Sequence, residues 1–369
     1  MQVAATSVIR QRRASTRRVK QTLLATAIHL SLSAVAGMAL LCFIALALGA
    51  QMPTRELAFV SKALDGSEDI YLSDANRGRW ARLTHTAFPK LQPVWSPDGR
   101  LLAFSGRAWR GLHETGLYLL DTTTRELRQL ISGPVDYLPS WSADGAELAF
   151  VTRERGQYSL YAADSATGAL RRLTSKANQI AFPTWSPDGS ALAYVVVFGA
   201  DDGLYVVSAD GSREVRLTEW IAFTPAWSPD SREIVFTAPN SGNSEVYVID
   251  VATGAMRNVS RNPAYDSDPV WSPDGTRIAF YSLRECNEIS LYVVDADGSN
   301  QRRLLDNCAL SMRGTSDNRP PAWSPDGTRI ALTSQDGRAL NIYTVQVDSG
   351  DIWQLTNFEA IVKYPAWRP

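Results

Sequence analysis

From residue 56 onward, apolar and polar positions alternate in strand-length runs, each bounded by Pro, Gly, Asp or Ser. One set of runs reads LLAFSG, ELAFVT, ALAYVVV, EIVFTA, RIAFYS and RIALTS; a second set reads LYLLD, LYAAD, LYVVS, VYVID, LYVVD and IYTVQ. Both have the alternating or fully apolar patterning, rich in aromatic and β-branched residues, of strands. Ahead of each first-set run stands a Trp phrase: PVWSPDG at Pro93, PSWSADG at Pro139, PTWSPDG at Pro183, PAWSPDS at Pro225, PVWSPDG at Pro269 and PAWSPDG at Pro321. A last PAWRP begins at Pro365. After each second-set run comes a short closing segment, RQL, RRLT, VRLT, RNVS, RRLL or WQLT. Each unit is therefore expected to hold four strands: a Trp strand, an Ala-Phe strand, a Tyr strand and an Arg-Leu-Thr strand. Between the first two, Pro97 presets a turn angle, Asp98 bonds its own backbone and Gly99 supplies a positive φ, which makes the phrase a hairpin.

The phrase tryptophans are Trp95, Trp141, Trp185, Trp227, Trp271, Trp323 and Trp367, at separations of 46, 44, 42, 44, 52 and 44 residues. A period in the forties with turn chemistry in every unit is the spacing of four-stranded propeller blades. The chain's first ELAFV (56–60), DIYLSD and ARLT lack a Trp strand before them, while YPAWRP is a Trp strand with nothing after it. The two ends complete one blade. The expected fold is all-β: a seven-bladed β-propeller of four-stranded antiparallel blades over 56–369, closed by the C-terminal strand joining the N-terminal blade. Closure removes the exposed sheet edges that invite aggregation.

The phrase P-x-W-S-P-D-G, followed by an I-A-F-type and then an I-Y-type strand, resembles the TolB-type WD-like propeller repeat. The resemblance covers 56–369. It implies an extracytoplasmic interaction scaffold, with the motif's Trp, Pro, Asp and Gly building and wedging blades rather than doing chemistry. The family's namesake is similar to a six-bladed ring behind a separate α/β domain, and this chain has neither the room nor the pattern for that domain.

Residues 1–20 form a basic tail holding Arg10, Arg12, Arg13, Arg17, Arg18 and Lys20 and no acidic residue. No Lys, Arg, Asp or Glu occurs from 21 to 54, and 30–50 is apolar apart from Ser31 and Ser33. That run, as a helix, reaches about 32 Å, enough to cross a hydrocarbon core of about 30 Å. The expectation is one transmembrane anchor helix over 21–50, uncleaved because the run exceeds a signal peptide's apolar core. A short linker, 51–55, stiffened by Pro53, follows. With basic residues inside, the chain reads as a single-pass inner-membrane protein with a cytoplasmic N-terminus and its propeller on the periplasmic or extracellular side. Arg17-Arg18 is a poor twin-arginine signal, because Lys20 and Gln21 stand where apolar residues belong.

Charge narrows the partners. The chain carries 37 basic and 38 acidic residues, and without the tail's six basic ones 31 remain against 38. A mildly acidic propeller argues against nucleic acid, which needs a basic stripe. Of the three cysteines, Cys42 lies in the apolar span. Cys286 and Cys308 fall in loops expected on one face of one blade, and are a disulfide candidate in an oxidising compartment.

Catalytic motifs are missing: there is no G-x-S-x-G, H-E-x-x-H, C-x-x-C or phosphate-cradling G-x-x-x-x-G-K. No cofactor or metal is expected. His29 lies in the span, and His85 and His113, with Glu114, occupy neighbouring loops. Those three could approach a metal-ligand or acid–base set, although loop histidines are usually solvated. The connections into the Trp strands carry Phe88, Lys90, Asp136, Tyr137, Phe182, Phe223, Tyr265, Asp266, Asp268, Lys363 and Tyr364. In a ring these residues converge on the channel mouth, and an aromatic rim with scattered charge suits a protein or peptide partner. The expected function is a non-catalytic, membrane-anchored protein- or peptide-binding scaffold of the cell envelope. The alternatives are a lyase or hydrolase using the channel mouth, and a carbohydrate-binding propeller.

Overall fold

Seven four-stranded antiparallel sheets follow one another along the chain in the computed structural model. It describes residues 56–369 apart from 63–65, 75–78, 87, 107–114, 134, 155, 177, 241, 285–288, 306–319 and 337–338. The strands are numbered β1 to β28 in chain order. The first blade is built from β1 (Glu56–Lys62), β2 (Glu68–Asp74) and β3 (Arg79–Arg82), and its fourth strand is β28 (Val362–Trp367), in the order β28-β1-β2-β3. Closure is therefore as expected from the split blade. Leu57 pairs with Trp367 and Ser61 with Val362, and the Arg368 guanidinium lies 2.5 Å from the Glu56 carboxylate.

The Trp strands form the inner wall. They are β4 (Lys90–Trp95), β8 (Asp136–Trp141), β12 (Gln179–Trp185), β16 (Phe223–Trp227), β20 (Asp266–Trp271), β24 (Ala322–Trp323) and β28, and each touches the next around the circle, β28 meeting β4. Among the described residues the buried apolar side chains fall into seven clusters, one at each junction between neighbouring blades. The stability of the ring thus resides between sheets, because each sheet buries both faces against its neighbours.

Each phrase tryptophan enters the junction cluster behind it, and five also make the same polar contact. Trp95, Trp141, Trp227, Trp323 and Trp367 donate their indole N–H to the carbonyl just before the preceding blade's tryptophan, at 3.0 to 3.4 Å. Buried amide–carbonyl bonds of this kind contribute about 1 kcal/mol each. The indole N–H groups of Trp185 and Trp271 are buried without an acceptor among the described residues. The SPDG turn also repeats: in the first phrase Ser96 donates to Asp98 at 2.5 Å, Asp98 accepts the Arg100 N–H, and Gly99 sits at φ 67°. The serine hydroxyls hold Asp98, Asp144, Asp188, Asp230 and Asp274 below the usual carboxylate range.

One refinement concerns the closing segments. In β3 and in β15 (Glu214–Arg216) the strand ends at the arginine, before the Leu-Thr. Leu83 is then buried in the core and Leu217 packs half-buried against it, and the threonine hydroxyl takes a backbone N–H from the Tyr strand: Thr84 from Ile70 at 3.0 Å, Thr218 from Leu204 at 3.0 Å. Among the described residues no helix is long and apolar enough to cross a membrane. The anchor expected over 21–50, its flanks 1–20 and 51–55, Cys286 and Cys308 lie outside the described residues.

Candidate functional site

The inner strands enclose a cavity of about 410 Å³. Five of them contribute to it, and its recurring wall element is the proline two residues before the phrase tryptophan: Pro139, Pro183, Pro225 and Pro269. Expected from the sequence to build and wedge blades, these prolines also face the channel. The reason is a bulge. In the inner strands the register shifts just ahead of the proline, as between Leu91 and Val94 or Ala181 and Thr184. The residue before the proline takes a left-handed φ: Gln92 61°, Phe182 53°, Thr224 46°, Asp268 54° and Tyr364 59°. Proline disfavours the right-handed helical region for its predecessor, and a bulge re-aims the side chains after it. Phe182 and Thr224 line the cavity together with Trp95 and Trp141.

Eleven mouth residues were singled out from the sequence, and the structure separates them. Lys90 and Asp266 are fully buried, and Phe88, Asp268 and Tyr364 nearly so. These five belong to the framework beneath the mouth rather than to its surface. Phe88 stacks on Tyr118 with ring centroids 4.7 Å apart, capping the junction of the first two blades. Phe182, Phe223 and Lys363 are half-buried, and Tyr265 is exposed. Asp136 and Tyr137 belong to β8, with their side chains outside the described residues, as are His113 and Glu114 entirely. His85 is exposed and does not line the cavity.

Lys90 and Asp266 occupy the same blade position, five residues before the tryptophan, and both face a slot left by the preceding blade. In the first slot the Lys90 ammonium donates to Asp69 at 2.7 Å and to the Thr86 carbonyl at 2.7 Å. Thr84, Ser67 and Arg82 also donate to the Asp69 carboxylate, at 2.6, 2.6 and 2.5 Å. Burial alone would raise Asp69, but the bonds from Lys90, Ser67 and Thr84 outweigh it and leave the carboxyl below its ordinary value. In the slot between the fifth and sixth blades, Glu245 stands where Asp69 does, Ser260 where Thr84 does, and Asp266 replaces the lysine. Ser260 donates to Glu245 at 2.6 Å, and Arg284 reaches Asp266 at 3.1 Å. One Asp266 oxygen has no partner among the described residues. Burial dominates here and pushes Asp266 above the usual aspartate value, despite Ser282 and Arg284. Between the last and first blades the slot is uncharged, holding Asn341, Thr356 and Val362, with Thr356 donating to Asn341 at 3.0 Å.

The outer part of the same face carries aromatic surface absent from the sequence-based selection. Phe198 is 72% exposed and Trp220 37%, beside exposed Asp201 and Glu219. Phe198 follows β13 (Ala191–Val197) directly, just beyond that strand's apolar run, ALAYVVV. Trp220 is one of the four tryptophans outside the repeat position, a signal that was available and unused.

The family described as TolB beta propeller domain matches residues 51–220 and 177–309, more than half of the chain. The chain belongs to the TolB β-propeller domain family. Tol-Pal system protein TolB of Francisella tularensis is 33% identical over 258 residues, covering 66% of this chain and 56% of that protein. The protein of the same name from Anaeromyxobacter dehalogenans is 39% identical over 107 residues, 28% of this chain and 24% of that protein. This TolB-type chain thus spans about half the length of the curated relatives it matches. Among solved structures, TolB from Acinetobacter baumannii superposes with a TM-score of 0.56 at 18% identity, covering 82% of this chain and 79% of that one. An oligogalacturonate lyase in complex with manganese gives 0.67 at 19%, covering 79% and 86%. At such identities the likeness is one of fold alone.

Proposed function

We propose that this TolB-type propeller is a non-catalytic scaffold that binds a protein or peptide outside the cytoplasm, held to the cell membrane by the apolar segment at 21–50. The observation that carries this reading is the make-up of the channel. Among the described residues, the 410 Å³ cavity is lined by Pro, Trp, Phe, Val, Ala, Thr and Ser, with no ionisable side chain. General acid–base work requires titratable groups within hydrogen-bond reach of one substrate, whereas a rigid apolar wall with a few hydroxyls suits the burial of side chains. The titratable groups beneath the mouth, Lys90, Asp69 and Asp266, are buried in slots between blades. The relatives named for the Tol-Pal system fit a partner in the envelope.

The test is site-specific photo-crosslinking in the native envelope. A photo-reactive residue at Phe182, in the cavity wall, is expected to yield a polypeptide adduct. The same residue at Leu170, exposed on an outer strand, is expected to yield none. Absence of any adduct from Phe182, together with saturable turnover of a small substrate by the purified chain, would overturn the proposal.

A further inference from the structure

The exposed aromatic surface lies on the outer part of that face, on the fourth blade, apart from the residues that line the cavity. Phe198 opens the hairpin that joins β13 to β14 (Gly203–Ser208), and Trp220 lies in the connection that leaves β15 for the fifth blade. The two loops form one surface. Arg216 donates to the Asp202 carbonyl at 2.5 Å and to the Thr218 carbonyl at 3.1 Å, and Leu204 donates to the Thr218 hydroxyl at 3.0 Å. Trp220 stands edge-on to Tyr247 at 5.7 Å, which fixes its orientation.

Phe198 carries two separate costs. It is 72% exposed, and it holds a left-handed φ of 66°. A short polar residue such as Asn adopts that backbone with little strain and exposes nothing apolar. The hairpin packs closely on the preceding connection: a Cβ at the adjacent Gly199 would lie 2.1 Å from the Asn178 side chain. An apolar ring held in water at a strained backbone position marks a contact surface.

Charge identifies the occupant. Asp201 stands in the same hairpin as Phe198 and Glu219 directly precedes Trp220, both exposed, and among the described residues neither enters an ion pair. Lys176 pairs with Glu214, and Arg216, which ties the two loops together through backbone carbonyls, pairs with neither carboxylate. Two aromatic faces beside two carboxylates without counterions match a cation carried on a flexible stem, which stacks on the rings while its charge meets the acids. We infer that the surface formed by Phe198, Trp220, Asp201 and Glu219 receives a Lys- or Arg-bearing segment of the partner protein. This rests on the scaffold reading and supplies the partner's chemistry.

The full-length chain in detergent is titrated into a fluorescein-labelled peptide of alternating Lys and Ala, followed by anisotropy, with an alternating Glu and Ala peptide alongside. The Lys peptide is expected to bind, and to bind more weakly as salt rises. Trp220→Ser and Glu219→Lys should each weaken it by about tenfold, the loss expected for a partly desolvated cation–aromatic contact. Leu170→Ser should leave binding unchanged. Equal binding of both peptides, no binding of the Lys peptide, or binding unaffected by both Trp220→Ser and Glu219→Lys would overturn the assignment. If that happens while the Phe182 crosslink persists, the scaffold reading stands without its cationic segment; loss of the crosslink itself counts against the scaffold.

Discussion

Replacing Lys90 with Val tests how the first two blades are joined. The lysine ammonium is fully buried 2.7 Å from an equally buried Asp69 carboxylate. At an effective dielectric of 20, that separation corresponds to about 6 kcal/mol of attraction, before the desolvation of both groups is subtracted. Removing one partner of such a pair costs about 3–5 kcal/mol, chiefly because the other charge is left buried. Arg82, 2.5 Å from the other Asp69 oxygen and partly exposed, still compensates the carboxylate, so Lys90→Val belongs near the lower figure. The uncharged slot between the last and first blades, Asn341 with Val362, shows how the fold accommodates the position without charge. The double variant Asp69→Asn/Lys90→Val copies that slot and is expected within about 1 kcal/mol of the parent, a coupling of at least about 2 kcal/mol. Urea unfolding followed by tryptophan fluorescence, on both single variants and the double, measures it. A double variant as unstable as the sum of the singles would refute the reasoning. The pH dependence has a defined sign: with a lowered folded value, Asp69 contributes stability above the ordinary aspartate range, and that stability is lost as pH falls through the lowered value. The double variant should lack this acid sensitivity.

Asp266→Asn should behave in the opposite way. The folded value is raised, so the parent loses stability as pH rises through it, and the variant's stability relative to the parent should climb from acid to neutral pH; urea midpoints at several pH values would show it, and a pH-independent difference would count against it. Trp227→Phe and Trp185→Phe both remove indole volume, but only Trp227 loses an interblade bond, to the Thr184 carbonyl at 3.1 Å. The first is therefore expected to cost about 1 kcal/mol more than the second in the same unfolding assay. Deleting 362–369 removes β28 and leaves the edge of β1 unpaired, and the product is expected to self-associate in analytical ultracentrifugation.

Much of the architecture was legible in the sequence because it repeats. A Trp phrase, two apolar runs and a closing segment specify four strands by local patterning and turn chemistry. Six such units, with a fragment at each end, also specified closure, since a split blade has only one way to complete itself. What patterning could not carry was side-chain direction near the channel. Lys90, Asp266, Asp268 and Tyr364 read as polar or aromatic loop residues bound for the mouth, yet all four are buried. In β4, β12, β16, β20 and β28 the bulge beside the proline adds one residue to the inner strand and so reverses the alternation by which facing is read. Whether the position five before the tryptophan holds a cation, an acid or an alkyl group is decided by the preceding blade's Tyr strand, which lies 21 residues earlier for both the Lys90–Asp69 and the Asp266–Glu245 slots. Exposure of Phe198 was likewise a tertiary matter, because an aromatic residue that directly follows an apolar strand run is ordinarily core. The number and closure of the blades come from short-range rules applied seven times; which side chains reach the solvent depends on contacts between blades that no single unit contains.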